Sequence, residues 1–415
     1  MRSDAKQILM VLDHSFPEDV RVENEARTLI EAGFAVSLLA IGPDVRPEME
    51  DYRGIQIFRD KLPAAVRNKL RGLAGTIPAY SLYLEHRIRG LNRTHPFDAI
   101  HVHDLYLFGG ALRAARKLQL PVVGDLHENW VEALRGYEWS NRFPARFLIS
   151  YRKWERLEKK WTQEVDRLVV VIEEAAERNV ENGVAEDRLV LVPNTLDIDH
   201  FESLGAGARY DRSEDGLIHL AYAGGIDRHR GLRTVVDAMP AIIKANPTVR
   251  LQLAGDGRTR NALEARCGEL GLGDHVTFHG WQPLEKVKSL IESADICLIP
   301  HLRTPHTDAT IPHKLFQYMY CSRPVLTSDC RPLARIVRET GCGSVFEAGN
   351  PASLAAKAID LLARPDDWSA MGKEGREAVI RKYNWKTTSR ALVDAYEALF
   401  SSSALPATMS RRDNV

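Results

Sequence analysis

The sequence predicts an α/β protein built from two doubly wound domains, each with a parallel sheet between layers of helices. Length is the first reason, because 415 residues is about three times the size of a typical single domain. The second is that short apolar runs alternate with longer amphipathic segments, as in successive β-α-β units. The third is that this alternation stops at a small, polar stretch near residues 195–215 and then starts again.

Composition and charge exclude several classes of protein. Hydrophobic residues make up 44% and charged residues 27% of the chain, which is typical of a globular protein. The 56 basic residues equal the 56 acidic ones, so no overall charge attracts nucleic acid. The five cysteines show no C-x-x-C spacing, which argues against a disulfide framework or a structural zinc site. No apolar run approaches the ~20 residues of a membrane span, and no signal-peptide pattern is present, so we expect a cytoplasmic protein.

The first predicted domain covers residues 1–195. Apolar runs typical of buried parallel strands, most of them followed by a helical pattern, lie at residues 8–12, 35–41, 99–102, 122–124, 167–172 and 189–192. In such sheets, ligands bind beyond the carboxyl ends of the strands. Polar residues directly after these runs are therefore the candidates for a functional site.

The second predicted domain covers residues 210–382 and follows an interdomain linker at 196–209. Its strand-like runs lie at residues 217–223, 250–254, 276–279, 296–300, 324–328 and 344–346. A last helix over 383–400 is expected to pack back on the first domain, and residues 401–415 are expected to be disordered. We expect the carboxyl ends of the two sheets to face each other across a cleft.

The most informative stretch is residues 310–328, which predicts a loop, a helix with Pro312 near its first turn, and a strand. Free amides at the start of this helix would bind a phosphate, and Gln317 would reach a ribose hydroxyl. The residues alone fit equally well an ordinary amphipathic helix in which Lys314 is merely solvated.

Residues 310–319, TIPHKLFQYM, followed by RPVLTS, resemble the donor-binding signature of retaining GT-B glycosyltransferases of family 4, also called glycosyl transferases group 1. Residues 223–232, AGGIDRHRGL, resemble the first loop and helix of the C-terminal domain in that family. The resemblance implies that Arg230 is a catalytic residue that holds the donor diphosphate, a role that suits the planar guanidinium. The donor-binding residues that the resemblance implies are Gly224, Gly225, Arg228, Gly255, Thr310, Ile311, Lys314 and Gln317.

In the first domain, His127 comes just past a strand, where the family places a histidine against the donor sugar, so it is the second expected catalytic residue. The D-x-R-V-x-x-E-A pattern that begins at Asp19 resembles a variant of the loop after the first strand. The expected acceptor-side residues are His14, Arg21, His103 and Asp104. The residues alone leave open that Asp19 and Asp104 only cap helices.

The sequence also departs from the family pattern. Two glutamates separated by seven residues are usual, whereas this chain has Ala309 and Gln317. Ala309 offers no polar group to a sugar, so Asp308 or Thr310 is expected to compensate. Asp197 and Asp199 form a D-x-D that superficially matches a metal site of another glycosyltransferase fold, but the resemblance implies an enzyme without a metal or cofactor.

The activity implied by the resemblance is transfer of a sugar, with retention, from a nucleoside-diphosphate sugar to a saccharide or lipid-linked acceptor, in polysaccharide or glycolipid biosynthesis. Two alternatives remain open: a non-catalytic nucleotide-sugar-binding protein, and a nucleotide-sugar epimerase of the same fold. A dinucleotide-dependent oxidoreductase is disfavoured, because no G-x-G-x-x-G follows the first strand.

Residues 59–93 form a locally basic stretch, with eight Arg and Lys residues against only Asp60 and Glu85. Apolar and aromatic residues lie among them. The pattern fits a solvated basic face, and it also fits a peripheral contact with anionic lipid at the inner face of a membrane.

Overall fold

The structure, a computed structural model, describes residues 5–136, 149–205 and 216–402. The chain divides into two compact units, which we call the first unit, Met1–Pro193 with Ser389–Val415, and the second unit, Asn194–Thr388. The predicted linker lies outside the described residues beyond residue 205, as does the predicted tail from residue 403 onward. Across the described ranges, no helix combines the length and the apolar character needed to cross a bilayer.

The first unit contains an eight-stranded sheet of order β3-β4-β2-β1-β5-β6-β7-β8. Its strands are β1 (Gln7–Leu12), β2 (Ala35–Gly42), β3 (Met49–Tyr52), β4 (Ile55–Lys61), β5 (Ala99–His103), β6 (Val122–Leu126), β7 (Arg167–Val170) and β8 (Leu189–Leu191). Neighbouring strands are parallel, except that β3 pairs with β4 antiparallel. The strand order reverses between β1 and β5, so the carboxyl ends of these two strands flank the expected ligand crevice.

The second unit contains a six-stranded parallel sheet of order β11-β10-β9-β12-β13-β14. Its strands are β9 (Ile218–Ala223), β10 (Val249–Ala254), β11 (Val276–Gly280), β12 (Ile296–Ile299), β13 (Val325–Ser328) and β14 (Gly343–Phe346). The order reverses between β9 and β12, and a buried apolar cluster that includes Tyr222, Met239 and Leu298 packs around these strands. The prediction of two Rossmann-like α/β domains is therefore confirmed.

Helices cover the sheets, and in chain order they are α1 (Val20–Glu31), α2 (Ala64–Leu73), α3 (Ala79–Thr94), α4 (Leu105–Leu118), α5 (Trp130–Gly136), α6 (Tyr151–Glu164), α7 (Glu173–Glu181), α8 (Ile198–Ser203), α9 (Leu232–Ala245), α10 (Arg260–Glu269), α11 (Leu284–Ser293), α12 (Lys314–Tyr320), α13 (Arg331–Thr340), α14 (Pro351–Leu362), α15 (Asp366–Arg381), α16 (Trp385–Thr388) and α17 (Arg390–Ser402). The segment predicted as a linker thus begins with α8, which belongs to the second unit. It packs there because Phe201 is buried against Tyr320, with ring centroids 6.1 Å apart.

The last helix, α17, belongs to the first unit although it follows the second in the chain. Tyr396 is buried, its ring lies 5.7 Å from that of Phe34, and its hydroxyl is 3.0 Å from Nδ1 of His101. This helix therefore contributes a polar contact as well as apolar packing to the first sheet.

Strands β3 and β4 were not predicted from the sequence. The charged pair at Arg59 and Asp60 makes β4 resemble a loop, yet the Arg59 side chain is buried. It is paired there with Asp44 at 3.2 Å and with Glu50 at 2.6 Å. Local patterning could not reveal this strand, because the carboxylates that make the buried arginine acceptable come from other segments.

Candidate functional site

In the second unit, two glycines hold the carboxyl ends of β9 and β10 close together. Gly224 has a φ of 136° and Gly255 a φ of 141°, a region that favours glycine. The Gly224 amide donates to the Ala254 carbonyl at 2.8 Å, and a Cβ on Gly255 would collide with the Gly224 carbonyl oxygen. Both positions therefore require glycine, and the backbone at this end of the sheet carries no side chain of its own.

Lys314, the first residue of α12, extends its ammonium group over this bare backbone. Its Nζ lies 3.8 Å from the centroid of the Tyr222 ring, and a Cβ on Gly224 would collide with it. The residue is only 9% exposed, and its Nζ has no hydrogen-bond partner among the described residues. Burial, followed by the charge of Arg230, lowers the pKa of Lys314 well below its usual range. A buried cation without a counter-ion is costly, so this arrangement indicates a site for an anion.

Arg230 provides a second cation near the point where the strand order reverses. It ends the 3-10 turn Arg228–Arg230, and its Nη1 lies 3.0 Å from Nε2 of His301. His301 comes two residues after β12 and is buried. Burial, with the charges of Arg230 and Lys314, lowers the pKa of His301 well below its usual value, so the neutral ring accepts a hydrogen bond from the guanidinium.

His301 was not predicted from the sequence. Its only signal was its place just beyond a buried strand. The other predicted donor-binding residues differ in exposure: Gly225 and Arg228 are exposed, Thr310 and Gln317 are partly buried, and Ile311 is buried.

The residues expected to compensate for Ala309 are already engaged. Asp308 accepts hydrogen bonds from Nε of Arg303 at 2.9 Å and from the Arg331 amide at 2.8 Å, where α13 begins. The Thr310 hydroxyl donates to the His306 carbonyl at 3.2 Å. Both side chains therefore have structural partners within the second unit.

In the first unit, His127 follows β6 and lies above a buried group of charged and polar side chains. Its Nε2 is 3.4 Å from Oδ2 of Asp125 and 3.1 Å from Nδ1 of His103. The His127 side chain is 17% exposed, whereas that of Asp125 is fully buried. Burial opposes the charge on His127, but Asp125 and, more weakly, Asp104 raise its pKa to about 10. His127 is therefore an imidazolium at neutral pH.

Asp125 carries the compensating charge, and Arg21 stabilises it. Nη2 of Arg21 lies 3.3 Å from Asp125 and 2.9 Å from Glu25, while Nη1 donates to the Val192 carbonyl at 2.9 Å. Burial acts against the Asp125 carboxylate, but Arg21 and His127 hold its pKa well below the usual range. Burial raises the pKa of Glu25 well above the usual range, so we assign the negative charge to Asp125 and a proton to Glu25.

The structure separates the predicted acceptor-side residues into exposed and buried ones. His14 is exposed, whereas Arg21 and His103 are buried beneath His127 and support it. Asp104 does not cap the next helix with its side chain; it has a φ of 69° and accepts a hydrogen bond from the Tyr106 hydroxyl at 2.8 Å. Asp19 does cap α1, as the simpler interpretation predicted.

A buried group of Glu25, His101, His103 and Asp125 has ligand atoms within 4.8 Å of one another. These are residue types that can bind a metal ion. However, the Asp125 carboxylate is already paired with the Arg21 guanidinium, and Glu25 carries a proton. The chemistry of this group thus favours an ion-pair network over a cation site. Asp197 of the D-x-D segment caps α8 by accepting from the His200 amide at 3.1 Å.

The basic stretch at residues 59–93 is not a uniform exposed face. Arg59 is buried in its ion pairs, and Arg87 pairs with Asp60 at 2.5 Å. Arg67 and Arg71 of α2 turn inward to Asp13, directly after β1. They join the polar groups at the carboxyl end of the first sheet, a place that was not predicted for them.

Comparisons with known proteins identify the family to which the chain is similar. Residues 19–200 match the model described as glycosyltransferase family 4, and residues 212–378 match the model described as glycosyl transferases group 1. A 2-deoxystreptamine glucosyltransferase of Streptomyces kanamyceticus is 24% identical over 86% of this chain and 92% of its own length.

Among solved structures, sucrose-phosphate synthase from Thermosynechococcus elongatus superposes with a TM-score of 0.72 at 19% identity, covering 96% of this chain and 100% of that one. Anabaena HepE, solved in complex with UDP, superposes with a TM-score of 0.69 at 12% identity, covering 94% of this chain and 100% of that one. At these identities, the structural likeness shows the fold.

We predict that Gly224→Ala weakens the binding of inorganic pyrophosphate about tenfold or more, because a Cβ would displace the Lys314 ammonium and strain a backbone with positive φ. Isothermal titration calorimetry measures the affinity. The control is Gly268→Ala, where a Cβ meets no atom within 4 Å. Equal pyrophosphate affinity in both variants would contradict the assignment of this site.

We also predict that Asp125→Asn lowers the pKa of His127 by at least about one unit from about 10, since it removes the charge that holds the ring protonated. NMR titration of the ring protons measures it. Because the pKa is raised in the folded state, the stabilisation by charged His127 should be complete below pH ~6.5 and lost as pH rises through about 10. Asp104→Asn should cause a smaller decrease, and an unchanged His127 titration in Asp125→Asn contradicts the network.

Proposed function

This chain belongs to the glycosyl transferases group 1, with the GT-B fold of two Rossmann-like units, and we propose that it transfers a sugar from a nucleoside-diphosphate sugar to an acceptor hydroxyl with retention of configuration. The family resemblance noted in the sequence is thereby confirmed, as is its implication that the chain is a glycosyltransferase. The observation that carries the donor half of the proposal is Lys314, a buried cation without a hydrogen-bond partner for its Nζ in the described structure.

The proposed donor diphosphate lies at the strand ends that Gly224 and Gly255 mark, next to Lys314. Lys314 and Arg230 stabilise the negative charge that develops on the diphosphate as the bond to the sugar breaks. Their charges take the part that a divalent metal plays in other glycosyltransferases, which supports a metal-independent reaction. His301 keeps the Arg230 guanidinium in place by accepting one of its hydrogen bonds.

In the proposed reaction, the bond between the acceptor oxygen and the anomeric carbon forms on the face from which the diphosphate departs. The acceptor proton passes to a diphosphate oxygen, so no protein nucleophile is required. Gln317 holds the ribose, and Thr310 and Ile311 border the diphosphate. These roles follow from the family resemblance and from their places on α12 or in the loop before it.

We assign His127 to the sugar. Its Nε2 is held by Asp125 and His103, so Nδ1 is the nitrogen that remains to donate a hydrogen bond to a hydroxyl. His14 and Asp104 belong to the acceptor side, whereas Arg21 and His103 position His127 from below. The expectation that the two sites face each other across a cleft stays a prediction.

The complex of HepE with UDP makes uridine diphosphate the first nucleotide to test, and the glucosyltransferase relative makes glucose the first sugar. A role in polysaccharide or glycolipid biosynthesis would fit this activity. The absence of acids at Ala309 and Gln317 favours one alternative, a non-catalytic nucleotide-sugar-binding protein. That alternative predicts binding of UDP-glucose with no release of UDP.

We predict that Arg230→Ala lowers the turnover of UDP-glucose by about 100-fold, because it removes a positive charge that stabilises the transition state. Turnover is measured as the UDP that is released when glucose is transferred to an acceptor or to water. The matched control is Arg233→Ala, an exposed arginine paired with Asp237 on α9. Donor affinity and turnover that both stay at wild-type values in Arg230→Ala would remove the assigned phosphate site.

We also propose that an exposed face of α2 and α3 rests on anionic lipid at the cytoplasmic side of a membrane. Val66, Ile77 and Leu82 are exposed there, and Lys61 and Lys69 are exposed nearby. Five of the arginines in this stretch (Arg59, Arg67, Arg71, Arg87 and Arg89) are paired within the unit, so the contact depends mainly on the two lysines and the apolar side chains.

Cosedimentation with phosphatidylcholine vesicles, with and without phosphatidylglycerol, tests this contact. We expect binding only to the anionic vesicles, and a loss of about tenfold or more when Lys61 and Lys69 are both changed to Glu. Lys244→Glu, at an exposed position on α9 of the second unit, is the control. Equal binding to both vesicles, or no effect of the double change, speaks against the proposed contact.

A further inference from the structure

Two arginines of α2 share one buried carboxylate in the first unit. Asp13, the residue after β1, accepts a hydrogen bond at Oδ2 from Nε of Arg71 at 3.1 Å, and its carbonyl accepts from Nη2 of Arg71 at 2.8 Å. Nε of Arg67 lies 3.5 Å from the other carboxylate oxygen, Oδ1. Two guanidinium groups thus face a single negative charge, and all three side chains are largely buried.

The two arginines differ in how well they are satisfied. Arg71 has both hydrogen bonds to Asp13, and its guanidinium carbon lies 4.7 Å from the centroid of the Tyr106 ring. Asp104 adds a further negative charge in its surroundings. Arg67 is 9% exposed, and its Nε has no hydrogen-bond partner among the described residues. Arg67 shares the single Asp13 carboxylate with Arg71, so the ion pair of this buried guanidinium is incomplete.

The space beside Arg67 is lined by hydrogen-bond donors. A Cβ built on Gly42, at the end of β2, would lie 3.2 Å from Nη1 of Arg67 and 3.1 Å from the backbone nitrogen of Ser15. His14 is exposed next to them, and burial followed by the charges of Arg67 and Arg71 lowers its pKa. The electrostatic field at His14 is therefore positive, and Nη1 of Arg67 and the Ser15 nitrogen lie close together beside Gly42, where a larger residue would crowd both.

We propose that Arg67, with the Ser15 amide and His14, binds an anionic group of the acceptor, a phosphate monoester or a carboxylate. The inference rests on the proposed function, because it assigns this strand end to the acceptor. β1 and β5 are adjacent strands, and Asp104 at the end of β5 influences the pKa of His14, so the anion site and the acceptor-side residues share one edge of the sheet. An anion held by Arg67 would fix one end of the acceptor there, which selects charged acceptors over neutral ones.

Matched sugars test the proposal with the full chain. Isothermal titration calorimetry at low ionic strength compares glucose, glucose 6-phosphate and glucuronate, which differ in one substituent. Dihexanoylphosphatidate is added to separate a lipid phosphate from a sugar phosphate. We expect glucose 6-phosphate or glucuronate to bind at least about tenfold more tightly than glucose, and the affinity to fall with added salt.

Three arginine variants and one lysine variant test whether the charged sugar binds at Arg67. Arg67→Gln should remove the preference for the charged sugar, Arg67→Lys should keep part of it, and Arg93→Gln, at an exposed position on α3, should leave it unchanged. Arg67→Lys preserves the buried charge, so it remains informative if Arg67→Gln fails to fold. Lys314→Met, in the second unit, should also leave the preference intact.

Two results would overturn the inference: no charged ligand, dihexanoylphosphatidate included, binds more tightly than glucose, or the preference for a charged ligand survives Arg67→Gln. Tight binding of dihexanoylphosphatidate alone would point to a lipid-borne phosphate and would support the same site. If the preference is lost in Lys314→Met instead, the anion binds at the donor site; the inference then fails while the proposed donor site stands. If the chain binds charged sugars at Arg67 but binds no nucleoside diphosphate, the anion site is supported and the proposed function is contradicted.

Discussion

A buried lysine whose Nζ has no hydrogen-bond partner among the described residues is the constraint on which the second unit's site depends. Lys314 lies over the bare backbone at Gly224, and burial together with Arg230 disfavours its charge. An anion placed there would restore that charge and relieve the repulsion between the two cations. We interpret three features as parts of the proposed diphosphate site: the glycine conformations, the short turn that ends at Arg230, and the neutral His301.

At the carboxyl end of the first unit's sheet, by contrast, the buried charged groups are paired with one another. There the buried Asp125 carboxylate lies between Arg21 and His127, and it holds His127 protonated and in place. The C-terminal helix joins the same group, because the Tyr396 hydroxyl contacts His101, which is 3.7 Å from Asp125. The group that we propose to bind the sugar thus depends on residues from distant parts of the chain. Arg67, whose Nε has no hydrogen-bond partner among the described residues, is where we propose that a charged ligand binds.

The sequence predicted much of the fold and part of the site. Twelve of the strands carry apolar runs that periodicity detects, but β3 and β4 were missed because Arg59 needs carboxylates from elsewhere. Lys314 and Arg230 were assigned through the family resemblance. Asp125, His301 and Arg67 were not assigned roles, because each depends on a tertiary partner, and local patterning does not say which carboxylate or imidazole a given arginine will meet. For the same reason, burial of Arg21 and His103 was not foreseen.

Calorimetric titration with UDP, GDP and ADP is the most direct measurement of the central claim, that Lys314 marks a nucleoside-diphosphate site. The comparison is between the wild-type chain, Lys314→Met, and Lys244→Met at an exposed position on α9. The account predicts that at least one nucleotide binds to the wild type and to Lys244→Met, and that Lys314→Met binds it about tenfold or more weakly. Binding of none of the three, or binding as tight in Lys314→Met as in the wild type, would contradict it.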